Sequence, residues 1–137
     1  MKVLIDTNVI LDFLIAREPF APAAKEIITL AEKDKIEAFL TASSVTDIFY
    51  ILKKYTDREK AKEILSQLFE IVDVIEVTKG DTKKALNLDL RDFEDALQAW
   101  CGKKKKVNYI VTRNEKDFRN SPVKIISPVE LIKLFKS

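Results

Sequence analysis

Residues 3–8 read VLIDTN, an apolar run that ends on an acid and then turns polar. Short runs rich in Val, Ile and Leu are typical of buried parallel strands, so this stretch predicts a strand over residues 2–5. Asp6 then stands where the strand ends. Because Asp is also a common turn residue, its position alone indicates no chemistry. Its meaning depends on the residues that come after the other strands.

Strand and helix patterns alternate through the rest of the chain. Further strands are predicted at 36–40, 72–77, 107–111 and 123–126. Helical patterns begin at Thr7 and recur at 22–34, around Asp47, at 58–69, 79–89 and 93–104, and after Ser127. This order predicts an α/β fold in which a mostly parallel sheet of four to five strands lies between helices on both faces.

One segment fits this order less well. The helical patterns at 79–89 and 93–104 follow each other with no strand between them. For the strands on either side to stay parallel, residues 87–92 are expected to carry the chain back across the domain.

The sequence has no repeat and no low-complexity linker, so residues 1–137 are expected to form a single domain.

Composition narrows the class of protein. Of the 137 residues, 47% are hydrophobic, which is enough for a sizeable core. The net charge is only +2, so no general basic field marks a nucleic-acid-binding protein. The absence of His excludes His-based nucleophile pairs and HExxH zinc sites, and the single Cys excludes an internal disulfide. No run of about 18 apolar residues occurs, so a cytoplasmic protein with no membrane partner is expected.

Four acids occupy similar places after the predicted strands. Asp6 ends the first strand, and Asp47 is predicted in the first turn of the helix after the second. Asp95 is predicted in the first turn of the helix that begins near residue 93. Asp117 follows the fourth strand. Since the carboxyl ends of parallel strands meet at one edge of a sheet, we expect all four acids at that edge.

Taken singly, most of these acids have an ordinary structural explanation. Ser44-x-x-Asp47 and Asp92-x-x-Asp95 fit variants of the capping box. The helix dipole favours an acid in a first turn by about 0.3–1 kcal/mol. Asp117 fits a loop acid before a turn of helix.

Taken together, the four acids indicate a metal site. Converging carboxylates repel one another and raise each other's pKa unless a cation lies among them. Oxygen ligands without His or paired Cys select a hard metal, Mg²⁺ or Mn²⁺. Such an ion can generate a hydroxide nucleophile and stabilise the departing oxygen of a phosphodiester.

Four stretches carry a resemblance to a known family. They are LIDTNVILDFL at 4–14, SSVTDIFYIL at 43–52, DFEDALQA at 92–99 and IVTRNEKDF at 110–118. In their order and spacing they resemble the PIN-domain family of ribonucleases, most of all its small single-domain members, which include the VapC toxins of toxin–antitoxin pairs. The resemblance covers essentially the whole chain.

The resemblance implies a fold and an activity. The fold is a three-layer α/β/α sandwich, and the activity is metal-dependent endonucleolytic hydrolysis of single-stranded or looped RNA by the toxin of a toxin–antitoxin pair. By position, Asp6, Asp47, Asp95 and Asp117 match the family's acids, with Asp6 and Asp95 holding the main metal. Cleavage by water would leave a 5′-phosphate and a 3′-hydroxyl.

Three polar residues match the family's supporting positions. Asn8 and Thr112 are expected to orient the carboxylates. Either Asn114 or Asp117 can approach the metal; we expect Asp117 to do so and Asn114 to bind water. Asp47 and Asp117 are expected to complete the metal site or to orient the attacking water. The second acid of the family is commonly Glu. Asp47 is one methylene shorter, so it can hold the metal through a water molecule.

Basic residues near the acids are candidates for contacts with phosphate. Arg113 and Lys116 lie in the fourth motif and are expected to bind substrate, with Lys53 or Lys54 as weaker candidates. The GKKKK run at 102–106 is expected instead at a helix C-terminus, opposite the acidic edge.

Five other residues bear on the site. Trp100 is expected in the core, Asp12 on a helix surface and Asp92 at an N-cap. Tyr50 and Phe20 are not assigned, although the loop at 17–22, which contains Phe20, is a candidate border of a groove.

The resemblance also implies partners. Small members of the family pair into homodimers, and the toxins are blocked by an antitoxin peptide in an apolar groove.

A haloacid-dehalogenase-type phosphatase needs a second acid where this chain has Asn8, and a receiver domain needs paired acids that the sequence does not supply. The alternative that remains is a PIN-fold module that binds RNA or a protein partner with weak or no catalysis.

Overall fold

A five-stranded sheet forms the middle layer of the structure, a computed structural model that describes residues 1–136. The strands are β1 Lys2–Ile5, β2 Glu37–Thr41, β3 Asp73–Ile75, β4 Tyr109–Val111 and β5 Ile125–Ile126. Every pairing is parallel, and the order across the sheet is β3-β2-β1-β4-β5. β1 is therefore the central strand, and Asp6 follows it directly. Ser137 lies outside the described residues, so the single domain over 1–137 stays a prediction.

Within residues 1–136, seven α-helices and one short 3₁₀ helix surround the sheet. The α-helices are α1 Thr7–Leu14, α2 Ala21–Glu32, α3 Ala42–Tyr55, α4 Arg58–Leu68, α5 Lys79–Leu86, α6 Phe93–Lys105 and α7 Pro128–Leu134, and the 3₁₀ helix is Glu115–Phe118. All the predicted elements are present at nearly the predicted positions. Among residues 1–136, no helix is both long and apolar enough to cross a membrane.

The sheet has a separate core on each face because side chains alternate along a strand. Val3 and Ile5 of β1 pack with α1, α2, α3, α4 and α7 on one face. Leu4, between them, packs with Ala99 and Cys101 of α6 on the other face. The predicted three-layer α/β/α arrangement is therefore confirmed.

The path between β3 and β4 differs from the expectation. Residues 87–92 only connect α5 to α6, and α6 itself carries the chain from the carboxyl edge of the sheet, where Asp95 lies, to the start of β4. α5 and α6 pack side by side, joined by Asp81 of α5, which accepts hydrogen bonds from Trp100 Nε1 at 2.8 Å and Lys104 Nζ at 2.6 Å.

The ends of the helices correct two predictions, Asp47 in a first turn and the capping box at Ser44, and confirm two others. α3 begins at Ala42, directly after β2, so Asp47 lies in its second turn. The proposed capping box Ser44-x-x-Asp47 is wrong because Thr41 is the N-cap. Asp92 is the N-cap of α6, as predicted, and accepts a hydrogen bond from Asp95 N at 3.0 Å. The GKKKK run ends α6 at the edge of the sheet opposite the acids, again as predicted.

Candidate active-site cleft

The acids at the carboxyl edge of the sheet line one cleft. Its volume is about 510 Å³. Six carboxylate side chains line it: Asp6, Asp47, Asp92, Glu94, Asp95 and Asp117. They come from the end of β1, from α3, from the first turn of α6 and from the 3₁₀ helix, so four parts of the fold converge there. All four of the predicted site acids are among them.

Asp6 is the buried member of this set. Its side chain is only 4% exposed, although it occupies the N-cap position of α1. Its carboxylate does not cap the helix. Instead, Oδ1 accepts a hydrogen bond from Gln98 Nε2 at 3.1 Å, and Oδ2 accepts one from Thr112 Oγ1 at 2.9 Å. The turn-residue explanation of Asp6 is therefore insufficient, since two distant elements hold its carboxylate in place.

The carboxylates are close enough to disturb one another. Burial raises the pKa of Asp6 despite the opposing hydrogen bonds from Gln98 and Thr112. Burial and the nearby negative charges, first that of Asp92 and then that of Asp6, raise the pKa of Asp95 to about 7. A metal-free cleft at neutral pH therefore holds protons that ordinary carboxyls would have lost.

The donor set fits a hard dication. Within the part of the chain that the structure describes, no three acidic or Cys side chains stand close enough to enclose an ion as they are. Burial and, after it, the neighbouring negative charges raise the pKa of Asp95, so the carboxylates of the cleft repel one another when no cation lies among them. Carboxylate and amide oxygens are the ligands that Mg²⁺ and Mn²⁺ prefer, so a cation would relieve this repulsion with suitable donors.

Glu94 is a fifth acid of the site that the sequence analysis did not assign. Its Oε1 accepts Thr7 Oγ1 and Ser44 Oγ, each at 3.3 Å, so α1 and α3 both contact it. Burial, a hydrogen bond with Asp47 and the charge of Asp47 raise the pKa of Glu94 to about 7. Its position next to Asp95 in the first turn of α6 was the available signal.

Gln98 is the second residue that the sequence analysis missed. Its side chain lines the cleft and is 1% exposed. Nε2 binds Asp6, whereas Oε1 is the one buried side-chain nitrogen or oxygen atom of residues 1–136 without a hydrogen-bond partner. A polar residue within the apolar stripe of α6, three positions after Asp95, was a readable signal. Gln98 thus joins the helix that carries Asp95 to the strand that carries Asp6.

The three expected supporting residues all lie at or beside the cleft. Thr112 is fully buried, donates to Asp6 and accepts Asn114 N at 3.0 Å, so it links the central acid to the loop after β4. Asn8 and Asn114 line the cleft. Arg17 Nη1 lies 3.5 Å from Asn8 Oδ1.

Asp12 and Arg113 have other surroundings than expected. Asp12 is 1% exposed, so its assignment to a helix surface is wrong. It accepts two hydrogen bonds from Arg113, Nε to Oδ2 at 2.8 Å and Nη2 to Oδ1 at 3.3 Å. The Arg113 guanidinium also lies 4.0 Å from the ring centre of Phe20. These contacts tie the loop that carries Asn114 to α1.

The structure also places Lys116, Trp100 and Tyr50. Lys116 is exposed on the 3₁₀ helix, next to Asp117. Trp100 packs with the apolar residues of the α6 face, as predicted for a core residue. Tyr50 lines the cleft and is 55% exposed, so it belongs to the cleft and not to the core.

Comparisons with known proteins agree with this geometry. The sequence pattern of the PIN domain matches residues 2–116. Ribonuclease VapC1 of Aquifex aeolicus strain VF5 is 26% identical over 134 residues, which cover 94% of this chain and 92% of the relative.

Two solved structures share the fold. One is VapBC2 from Rickettsia felis bound to a DNA fragment from its promoter, with a TM-score of 0.70 and 15% identity over 93% of this chain and 98% of the other. The second is a toxin–antitoxin complex from Klebsiella pneumoniae, with a TM-score of 0.70 and 20% identity over 92% and 97%. The three-layer fold, the acidic cleft and the match over residues 2–116 lead to one conclusion, that this chain belongs to the PIN domain family.

Proposed function

We propose that the chain is an endoribonuclease that requires Mg²⁺ or Mn²⁺ and hydrolyses single-stranded or looped RNA. The observation that carries the proposal is the convergence of carboxylates from four parts of the fold on one cleft, where burial and neighbouring negative charges raise the pKa of Asp95 and Glu94. A structural role for these acids would not require them to face one another. The similarity to a ribonuclease over nearly the whole chain supports the same activity.

The chain's own residues would prepare the metal site. In this proposal Asp6 and Asp95 hold the ion, and Asp47 and Asp117 complete the site or orient the attacking water. When bound, the ion would lower the pKa of water and stabilise negative charge on the phosphate. Thr112 and Gln98 keep the Asp6 carboxylate in one orientation, so this one ligand is already in position before the ion binds.

Glu94 adds to the proposed set. Thr7 and Ser44 fix its Oε1, and its contact with Asp47 couples two acids from different helices. We assign Glu94 to the orientation of Asp47, whose short side chain gains a fixed partner there. Asn8 and Asn114 would bind water or orient carboxylates at the rim.

The substrate contacts are also proposals. Lys116 is exposed beside Asp117 and is suited to bind a phosphate of the RNA. Arg113 is held by Asp12 and Phe20, so its first role would be to fix the loop after β4, and only its remaining donors would face substrate.

We further propose that the chain acts as the cytoplasmic toxin of a toxin–antitoxin pair. The likeness of its fold to those of two toxin–antitoxin complexes supports an antitoxin partner. A homodimer is proposed on the family resemblance alone.

The test is metal-dependent cleavage by the purified chain. An unstructured RNA should be cut in Mg²⁺ or Mn²⁺, yield 5′-phosphate ends and stay intact in EDTA. Asp6→Asn should abolish cleavage. Asp34→Asn is the matched control, since it removes the same charge at an exposed residue with φ of 57°, a backbone conformation that Asn accepts.

One result would replace the proposal by its alternative. If the wild-type chain binds RNA equally in Mn²⁺ and in EDTA and never cuts it, the protein is a PIN-fold binding module. The raised pKa values would then need another explanation.

A further inference from the structure

We propose that Tyr50 is a stacking platform for an unpaired base of the RNA next to the bond that is cut, with Lys53 and Lys54 binding the adjoining backbone. This inference rests on the proposed ribonuclease activity and names how the same cleft selects single-stranded substrate. Packing in the core does not explain the choice of Tyr at position 50, since this side chain is 55% exposed and lies on the wall of the cleft.

The lining of the cleft makes Tyr50 the natural contact for a base. Among the residues 1–136 that line it, six are acids, none is Lys or Arg, and Tyr50 is the one aromatic residue. A polynucleotide is therefore repelled by the floor of the cleft except where a cation lies. Binding energy for the nucleotides on either side has to come from the wall, and the ring is the largest apolar surface there.

The place of Tyr50 on α3 sets its distance from the chemistry. It follows Asp47 by three residues, so both side chains leave the same side of the helix about 4.5 Å apart along its axis. The ring and the Asp47 carboxylate therefore lie on the same wall of the cleft, one helical turn apart. A base on the ring would thus belong to a nucleotide adjacent to the phosphate at the acids.

The positive charge near the ring has the right position for a backbone. Lys54 Nζ lies over the Tyr50 ring, 4.6 Å from its centre, and Lys53 Nζ lies over it at 5.7 Å, both as cation–π contacts. A base that stacks on Tyr50 therefore takes the place of an ammonium group over the ring or uses the open face. Both lysines are in the last turn of α3 and follow Tyr50 along the helix, whereas Asp47 precedes it. The phosphate beyond the stacked base would therefore meet two ammonium groups, whereas the scissile phosphate would face the acids and their metal.

The geometry predicts a preference for unpaired RNA. A base in a duplex is stacked on its neighbours and cannot offer a face to Tyr50 without the cost of opening the helix. The acidic cleft therefore admits a duplex poorly, whereas a loop or single strand can place one base on the ring.

Binding measurements with substituted RNA test this directly. A short fluorescent single-stranded RNA is titrated with the full chain in Mg²⁺, in an Asp95→Asn background that leaves the RNA intact. Tyr50→Ala should weaken binding roughly 5- to 150-fold, the range known for loss of base–aromatic stacking, and Tyr50→Phe should retain it. Tyr55→Ala is the matched control, since Tyr55 is more exposed on the same helix but does not line the cleft.

RNAs with one abasic position complete the test. An RNA that lacks the base which stacks on Tyr50 should bind the wild-type ring no better than intact RNA binds Tyr50→Ala. Removal of that base should not weaken the binding of Tyr50→Ala any further. Lys54→Ala should reduce the salt dependence of binding. The inference would be overturned if Tyr50→Ala bound the RNA as tightly as the wild type does, or if Tyr55→Ala lost as much affinity as Tyr50→Ala.

The outcome separates this inference from the proposed function. If the wild-type chain cuts RNA with metal but Tyr50→Ala cuts with unchanged KM, only the stacking platform is refuted. If the wild-type chain cuts no RNA at all, the proposed function itself fails.

Discussion

Replacement of Gln98 by Met should separate the stability of the fold from its affinity for metal. Met has a similar length but neither donates nor accepts a strong hydrogen bond. The change removes the hydrogen bond of 3.1 Å to Asp6 Oδ1 and also removes the buried Oε1 that has no partner. These two effects act in opposite directions on the free energy of unfolding.

The magnitudes nearly cancel for stability. A hydrogen bond to a charged group contributes about 1.5–3 kcal/mol, and a buried polar atom without a partner costs about 1–3 kcal/mol. Gln98→Met should therefore change the free energy of unfolding of the metal-free chain by no more than about 2 kcal/mol in either direction. Metal binding has no such compensation. The lost bond leaves the Asp6 carboxylate held by one side chain, that of Thr112, and raises its pKa further, so affinity should fall about 10- to 100-fold.

Urea unfolding and Mn²⁺ titration followed by electron paramagnetic resonance measure the two quantities. Gln67→Met is the matched control, since Gln67 is exposed on α4 and should change neither. A folded Gln98→Met with wild-type Mn²⁺ affinity would contradict the assignment of Gln98 to the orientation of Asp6. A loss of about 3 kcal/mol or more would show that Oε1 has a partner in solution.

Three further predictions concern charge. For the metal-free chain, urea unfolding should show stability falling as the pH rises from about 5 to about 8, because the raised pKa values of Asp95 and Glu94 mean that the folded state keeps protons which the unfolded chain has already released. Mg²⁺ should remove this dependence, and a flat profile without metal would refute the repulsion. Asp12→Asn should lower the free energy of unfolding by about 1.5–3 kcal/mol and reduce RNA cleavage, since it releases Arg113 and the loop after β4; Asp34→Asn should do neither. Asp81→Asn should destabilise the chain by about 2 kcal/mol or more at neutral pH. Burial alone would raise the pKa of Asp81, but the hydrogen bonds from its lysine, backbone and indole partners lower it well below the ordinary value. The wild type should therefore keep the stability that the Asp81 carboxylate contributes until the pH falls below about 4, and lose it below that pH. Asp81→Asn should show no such loss, because its amide does not titrate in this range.

The fold was predictable from local pattern to a large extent. Runs such as residues 3–5 and 107–111 are apolar, short and flanked by helical periods, and this information is contained in each segment. The start of α3 was not predictable to within a turn. The helix follows Thr41 with no loop between, so no turn signal marks its first residue.

The site was only partly predictable, for a different reason. The four predicted acids could be found because each follows a strand or opens a helix near one. Asp12 could not be placed, because its burial depends on Arg113, which lies 101 positions away in sequence. Glu94 and Gln98 lie on α6 beside a residue already assigned, and the pattern gives the face of the helix without saying which polar group reaches Asp6.

The central place of β1 has a consequence for protein synthesis. Asp6 leaves the ribosome before Gln98 and Thr112, which hold its carboxylate and follow it by 92 and 106 positions. On the proposed function, a nascent chain still tethered to the ribosome would be harmless to the RNA around it until β4 joins the sheet beside β1. On that proposal, the site would be assembled only after the segment that contains β4 has emerged from the ribosome.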